Sequence, residues 1–279
     1  MTSTLCFIGG GNMARSLIGG LVANGYPGEQ IRVAEPNQEN RTRLENEYGI
    51  QGFSDNQAAV DQCDAIVLAV KPQILREVLS PLSDTIQQQR PLLISIAAGV
   101  PIDAISRWAG GERTAIVRCM PNTPSLLQAG ATALFANPDV SQAQQQIANT
   151  VLEAAGFTLW VNSEQKLDAV TAVSGSGPAY FFAFIEAMIE AGEKLGLSHE
   201  QASQLTLQTA LGAARMVNES GDSPTTLRQN VTSKGGTTAA ALAAFEAHGL
   251  KDTVAKAMEA ACQRAAELGD SLNNDTSGE

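Results

Sequence analysis

The densest collection of groups able to hold an anion lies in one run, Pro224-Thr225-Thr226-Leu227-Arg228-Gln229-Asn230-Val231-Thr232-Ser233-Lys234-Gly235-Gly236-Thr237-Thr238. It continues through Ala241-Leu242 and Phe245-Glu246 as an alanine-rich helical pattern, so two glycines and several hydroxyls gather at a helix start. A helix N-terminus offers unpaired N–H groups and the positive end of the dipole. Backbone donors at Gly236, Thr237 and Thr238, with the Ser233 hydroxyl, could form a neutral cradle for a carboxylate. An ordinary N-cap beside a glycine turn is the plainer alternative, but it does not account for so many donors in one place.

A second anion-binding pattern stands at the N-terminus, where Leu5-Cys6-Phe7-Ile8 runs into Gly9-Gly10-Gly11-Asn12-Met13-Ala14. A strand, a GxGxxA turn and a helix in that order suit a dinucleotide. Gly9 permits the tight turn, Gly11 admits backbone close to a pyrophosphate, and Ala14 lets helix pack on strand. The alternative is a glycine-rich turn that only packs the first helix. The next strand ends at Glu35-Pro36-Asn37. An acidic residue there grips a ribose 2′-hydroxyl and favours NADH, unless it is merely a solvated strand end. Arg41 and Arg43 on the following helix could reach back toward a 2′-phosphate, so these residues leave both nicotinamide cofactors open.

Two more segments follow apolar strands, Ala69-Val70-Lys71-Pro72 and Met120-Pro121-Asn122-Thr123-Pro124. Open α/β sheets bind ligands at such strand ends, proline stiffens the loops, and Asn122 offers amide hydrogen bonds. Lys71 either lines a nicotinamide pocket or is solvated. Val173-Ser174-Gly175-Ser176-Gly177-Pro178-Ala179-Tyr180 opens a long helix with Pro178 in its first turn. Neither histidine reads as catalytic: His199 lies in a capping box begun by Ser198, and His248 precedes Gly249 at a helix C-terminus. Cys6, Cys63, Cys119 and Cys262 lack metal-ligand spacing, so no metal site is expected and reduced thiols fit best.

The elements that must position these groups change character along the chain. Strand-like runs at 4–8, 31–34, 65–70, 92–96 and 114–119 alternate with helical patterns at 13–23, 39–48 and 73–79. Continuous apolar strands imply burial on both faces, and β/α alternation then gives a doubly wound α/β sheet of Rossmann type. Past Trp160 only helices remain, at 179–195, 199–220, 238–248 and 250–268. The expected organisation is a dinucleotide-binding domain at 1–162, an all-α domain at 163–269 and a polar tail at 270–279. At 279 residues two domains are favoured, and 44% hydrophobic against 17% charged residues supplies real cores. A net charge of −11 without a basic run argues against nucleic acid. No stretch reads as the roughly 20 apolar residues of a membrane span, so a cytoplasmic protein with no membrane partner is expected. The apolar helices are expected to dimerise; the alternative is that they cover one end of the sheet.

Taken together these segments resemble the pyrroline-5-carboxylate reductase family. The run 224–246 is similar to its signature, and 7–14, 69–72, 95–100, 118–124 and 173–180 are similar to family segments in the same order. The resemblance spans nearly the whole chain apart from the polar tail. It implies a Rossmann domain followed by a helical dimerisation domain, as a homodimer or a decamer of five dimers. It also implies NAD(P)H-dependent reduction of 1-pyrroline-5-carboxylate to L-proline, the last step of proline biosynthesis. Members commonly prefer NADPH and often accept NADH, and Glu35 departs from the small polar residue some carry. The family's cofactor loop falls on Gly9, Gly11, Asn12, Met13 and Ala14, its adenosine side on Glu35, Pro36 and Asn56, and its nicotinamide side on Ala69, Lys71, Pro72 and Ala97. Its substrate loop falls on Ser233, Gly235, Gly236, Thr237 and Thr238, facing a site completed by the partner subunit, with Thr238 the candidate to hydrogen-bond the ring nitrogen. A reductase of another cyclic imine is the nearest alternative. A β-hydroxyacid dehydrogenase would need a lysine soon after the glycine run, and none occurs before Lys194.

Overall fold

A computed structural model describes residues 2–111 and 113–274. They form two compact units, one of residues up to Ser176 together with those from Ala261 onward, the other Gly177–Ala260.

The first unit is built on β1 (Leu5–Ile8), β2 (Ile31–Ala34), β3 (Gln51–Phe53), β4 (Ala65–Leu68), β5 (Leu92–Ser95), β6 (Ile116–Met120), β7 (Gly130–Ala136) and β8 (Gly156–Trp160). Their order across the sheet is β3-β2-β1-β4-β5-β6-β7-β8. All neighbours are parallel except β6 and β7. The first six strands thus have the doubly wound dinucleotide order, which reverses direction between β1 and β4. The apolar runs of β1, β4 and β5 are buried along their whole length, the condition for central parallel strands. Alternation splits β1 between two cores, Leu5 and Phe7 on one face, Cys6 and Ile8 on the other.

Around the sheet run α1 (Asn12–Ala23), α2 (Gln38–Tyr48), α3 (Asn56–Val60), α4 (Leu75–Leu79), α5 (Ser83–Gln89), α6 (Ile102–Trp108), α7 (Gln142–Glu153) and α8 (Lys166–Val170). In α1 the buried Ala14, Leu17, Ile18 and Leu21 recur at helical spacing and face the first core. In α2 Asn37 accepts the N–H of Asn40 as N-cap, and Gly49 in the left-handed region closes the C-terminus. A π turn at Thr171–Gly175 follows α8 and leads into α9 (Gly177–Lys194). Pro178 is therefore the second residue of α9, but that helix continues a run begun at Lys166 rather than starting afresh.

The second unit holds α9, α10 (His199–Glu219), α11 (Pro224–Asn230), α12 (Thr237–Ala247) and the first turns of α13 (Leu250–Asn274). Ser198 and Gln201 form the expected capping box of α10, and α10 packs on α9 where Gly192 meets Ala202.

Three expectations need correction. The strands β3, β7 and β8 were not expected; β3 is three residues long, and small residues dominate β7. The last helix does not stop at Leu268 but runs to Asn274, because Leu272, one turn on, packs against the second core. The rest of the expected tail lies outside the described residues. Finally, Lys166–Lys194 is long and apolar enough, by length and composition, to cross a membrane, where no such stretch was expected. The physical reason is that α9 carries Phe181, Phe182 and Phe184 on an exposed surface beside alanines and few charges.

Candidate active site

The six parallel strands β1 to β6 deliver loops to one edge of the sheet. After β1, Gly9 adopts φ +98°, and a Cβ there would come 2.8 Å from the carbonyl oxygen of Ala69 at the end of β4. That close approach fixes the two loops together. Gly11 is the extended N-cap of α1, and a Cβ on it would meet nothing within 4 Å. The first helical bond runs from the Arg15 N–H to the Gly11 carbonyl, at 2.9 Å. The N–H groups of Asn12, Met13 and Ala14 therefore have no helical acceptor, and no side chain caps them. Exposed Asn12, half-buried Met13 and buried Ala14 stand where an anion would meet these donors. This open cradle fits a pyrophosphate.

Gly10, which the motif treats as a spacer, is as constrained as its neighbours. Its N–H donates to Glu35 Oε2 at 3.0 Å, and its carbonyl accepts Asn40 Nδ2 at 2.9 Å. The same Glu35 oxygen accepts Asn40 Nδ2 at 3.0 Å, while Oε1 accepts the Asn37 N–H at 2.9 Å. Glu35 thus braces the glycine loop rather than lying free at a solvated strand end. Arg41 does reach back, donating to the Glu35 carbonyl at 2.7 Å, whereas Arg43 donates to Asn40 Oδ1 at 2.6 Å. Pro36 is exposed, and Asn56 is half-buried as the first residue of α3.

Beyond β4, Ala69 and Pro72 are half-buried, and Lys71 is exposed with no ion pair among the described residues. Beyond β5, Ala97 is buried and its N–H lies 3.4 Å from Ser95 Oγ. Beyond β6, Asn122 is buried and uses both ends of its amide.

The second unit carries the other predicted run. Gly236 is the extended N-cap of α12, and Gly235 has φ +71°. The Gly236 N–H donates to the Ser233 carbonyl at 3.1 Å, closing the turn. That donor is committed, which leaves the N–H groups of Thr237 and Thr238 at the helix start. A Cβ on Gly236 would strike Ser233 Oγ, so glycine there is what lets the hydroxyl lie across the turn. Ser233, Gly235 and Thr237 are exposed, Gly236 and Thr238 half-buried.

His199 Nδ1 sits 3.1 Å from Glu193 Oε1 on the surface, and His248 caps α12. Cys6, Cys63 and Cys119 are buried free thiols, and burial pushes Cys119 far above the usual thiol range. Among the described residues no group of three His, Cys, Asp or Glu side chains could hold a metal.

Residues 164–268 match the family model described as pyrroline-5-carboxylate reductase dimerisation, and residues 4–99 match that described as NADP oxidoreductase, coenzyme F420-dependent. The chain is 51% identical to a pyrroline-5-carboxylate reductase of Pseudomonas aeruginosa, covering 97% of this chain and 98% of that one. It is 45% identical to the Haemophilus influenzae enzyme of that name, covering 95% and 97%. Among solved structures, the pyrroline-5-carboxylate reductase of Coxiella burnetii matches with TM-score 0.93 and 44% identity over 96% of this chain and 99% of that one. The Plasmodium falciparum pyrroline carboxylate reductase, solved with NADP bound, matches with TM-score 0.83 and 34% identity over 96% and 98%.

Proposed function

The chain belongs to the pyrroline-5-carboxylate reductase family, and on that premise we propose how its own residues run the reaction. It is an oxidoreductase that reduces 1-pyrroline-5-carboxylate to L-proline with a reduced nicotinamide cofactor, closing proline biosynthesis. The observation that carries the reading is a full-length likeness in which the cofactor cradle at Gly9–Ala14 is open and donor-rich.

When bound, the reduced nicotinamide supplies hydride to the carbon of the ring C=N bond. The chain does the rest by binding and orientation. The N–H groups of Asn12, Met13 and Ala14, with the α1 dipole, hold the pyrophosphate. Glu35, Pro36 and Asn56 border the adenosine side, and Ala69, Lys71, Pro72 and Ala97 the nicotinamide side. The N–H groups of Thr237 and Thr238 and the Ser233 hydroxyl hold the substrate carboxylate, Gly235 and Gly236 shaping the turn that presents them. Thr238 hydrogen-bonds the ring nitrogen, which carries the proton in the product amine. A protonated imine is already electrophilic, so the threonine need only orient it.

NADPH is the proposed preferred cofactor, with NADH accepted; the NADP-bound Plasmodium relative supports it. The match to a dimerisation model supports a homodimer. We extend this to a decamer of five dimers in the cytoplasm, with neither nucleic acid nor membrane as partner. Purified protein given racemic 1-pyrroline-5-carboxylate should oxidise NADPH faster than NADH and yield proline. Folded, nucleotide-binding protein that oxidises neither would move the assignment to another cyclic imine.

A further inference from the structure

The π turn at Thr171–Gly175 has a specific cause. The Ser176 N–H donates to the Thr171 carbonyl at 2.8 Å, five residues back, where an α-helix would reach only four. Pro178 has no N–H, so the Ser174 carbonyl four residues before it lacks a helical donor. Asn122 fills that gap from the loop after β6. Its Nδ2 donates to the Ser174 carbonyl at 3.0 Å, and its Oδ1 accepts the Ala131 N–H of β7 at 2.9 Å. The amide is 9% exposed and paired at both its nitrogen and its oxygen, as buried polar groups generally are.

The fit around it is tight. A Cβ on Gly175 would come 2.5 Å from Met120 Cε at the end of β6, so a larger residue there would push the methionine end aside. The hydroxyls of Thr171 and Ser174 turn back onto the Leu167 and Val170 carbonyls, at 2.8 and 3.1 Å. Ser176, by contrast, makes no hydroxyl hydrogen bond among the described residues. Because β6 runs parallel to β5, the loop bearing Asn122 leaves the sheet at the edge that also carries Gly9, Ala69 and Ala97. On the doubly wound plan this is the ligand edge, and β4 to β6 lie on the side of β1 opposite the adenosine contacts.

We infer that Asn122 is a positioning residue: together with Pro178 it holds the π turn in register, presenting Ser174–Ser176 to the imine at the nicotinamide end of the site. The inference rests on the proposed imine reduction at this edge. Two variants separate register from stability. Asn122→Asp keeps the acceptor for Ala131 and loses the donor to Ser174. Pro178→Ala restores a backbone donor to Ser174 and lets the turn relax to α register.

Both should lower kcat/KM for the imine by about tenfold. The Kd for NADPH, read by fluorescence, should stay within about twofold, because the adenosine and pyrophosphate contacts lie on other strands. Asn122→Asp should lower Tm, whereas Pro178→Ala should raise it by removing proline from a continuous helical run. A stabler enzyme that is slower on the imine alone is the signature of a lost register. Pro178→Ala with wild-type kinetics, or with a lowered Tm, overturns the inference, and so does an Asn122→Asp loss that merely follows the unfolded fraction. Should Asn122→Asp fail to fold, Pro178→Ala decides alone. Wild-type protein that does not turn over 1-pyrroline-5-carboxylate defeats the proposed function instead.

Discussion

Glu35 directly follows β2 on the loop edge of the sheet, and its carboxylate is largely engaged before any ribose arrives. Gly10, Asn37 and Asn40 all donate to it. Losing one charge-assisted bond of about 1.5 kcal/mol corresponds to roughly tenfold in affinity. Glu35→Gln turns an amide NH2 toward a backbone donor and should raise KM for NADPH and NADH alike by about that factor. Parallel kinetics check it: an effect confined to NADH would mean a ribose grip, and an equal effect a braced loop. Asp168 is a second residue with a readable consequence. Burial pushes its carboxyl above the usual range, Arg118 pulls the other way, and Glu164 and Asp270 add to the rise. The folded chain therefore holds this proton to higher pH than the unfolded chain, so stability falls as pH rises from the unfolded pKa to the raised folded one. Asp168→Asn removes that cost. It should stabilise at neutral pH by less than about 1 kcal/mol, since the group is only partly buried and solvent screens it. Urea midpoints at neutral and acid pH should show the gain vanish below the unfolded pKa.

At the scale of elements, Glu164 ties three together. Its Oε1 accepts Arg118 of β6 at 2.7 Å and the N–H of Ile102, the first residue of α6, at 2.9 Å, while Glu164 itself leads into α8. The two charged side chains are 11% and 22% exposed, so the pair is well shielded from solvent. Glu164→Gln keeps an acceptor for Ile102 but removes the carboxylate in contact with Arg118, at an expected cost of about 2 kcal/mol, below the figure for full burial. A lower urea midpoint with an unchanged m-value is the expected result. Sequence showed neither this tie nor the Asn122 bond, because the partners lie 62 and 52 residues apart and no local pattern links them. It did show β1, β2, β4, β5 and β6, whose apolar runs have one meaning at that length. It missed β3, where Gly52 and two neighbours make a three-residue strand, and β8, an edge strand with Phe157 exposed. The cofactor loop was legible because strand, glycines and helix are contiguous. Gly10 was not, since its constraint comes from Glu35 and Leu44 across the fold.

The whole molecule cannot be a lone chain if its second unit is to be stable. Within Gly177–Ala260 the buried residues of the long helices α9 and α10 are Gly177, Ala202 and Thr206, which is no core for a helical unit of that length. Meanwhile Phe181, Phe182 and Leu211 are 71%, 60% and 56% exposed. Apolar surface of that kind is stabilised only by removal from water, at about 25 cal/mol per Å². A second copy of the chain offers the same surface, and a two-fold contact buries both at once. The homodimer should then be inseparable from the stability of this unit. Wild-type protein should scatter light as at least twice the 29.2 kDa chain mass, and its Tm should rise with protein concentration. Phe182→Asp places a charge in the contact, and should shift the mass toward a single chain and lower Tm. Activity should fall with it, since the proposed carboxylate cradle at Thr237 and Thr238 belongs to the unit so destabilised. A wild-type enzyme that is monomeric and fully active would leave those phenylalanines without a partner and overturn the dimer.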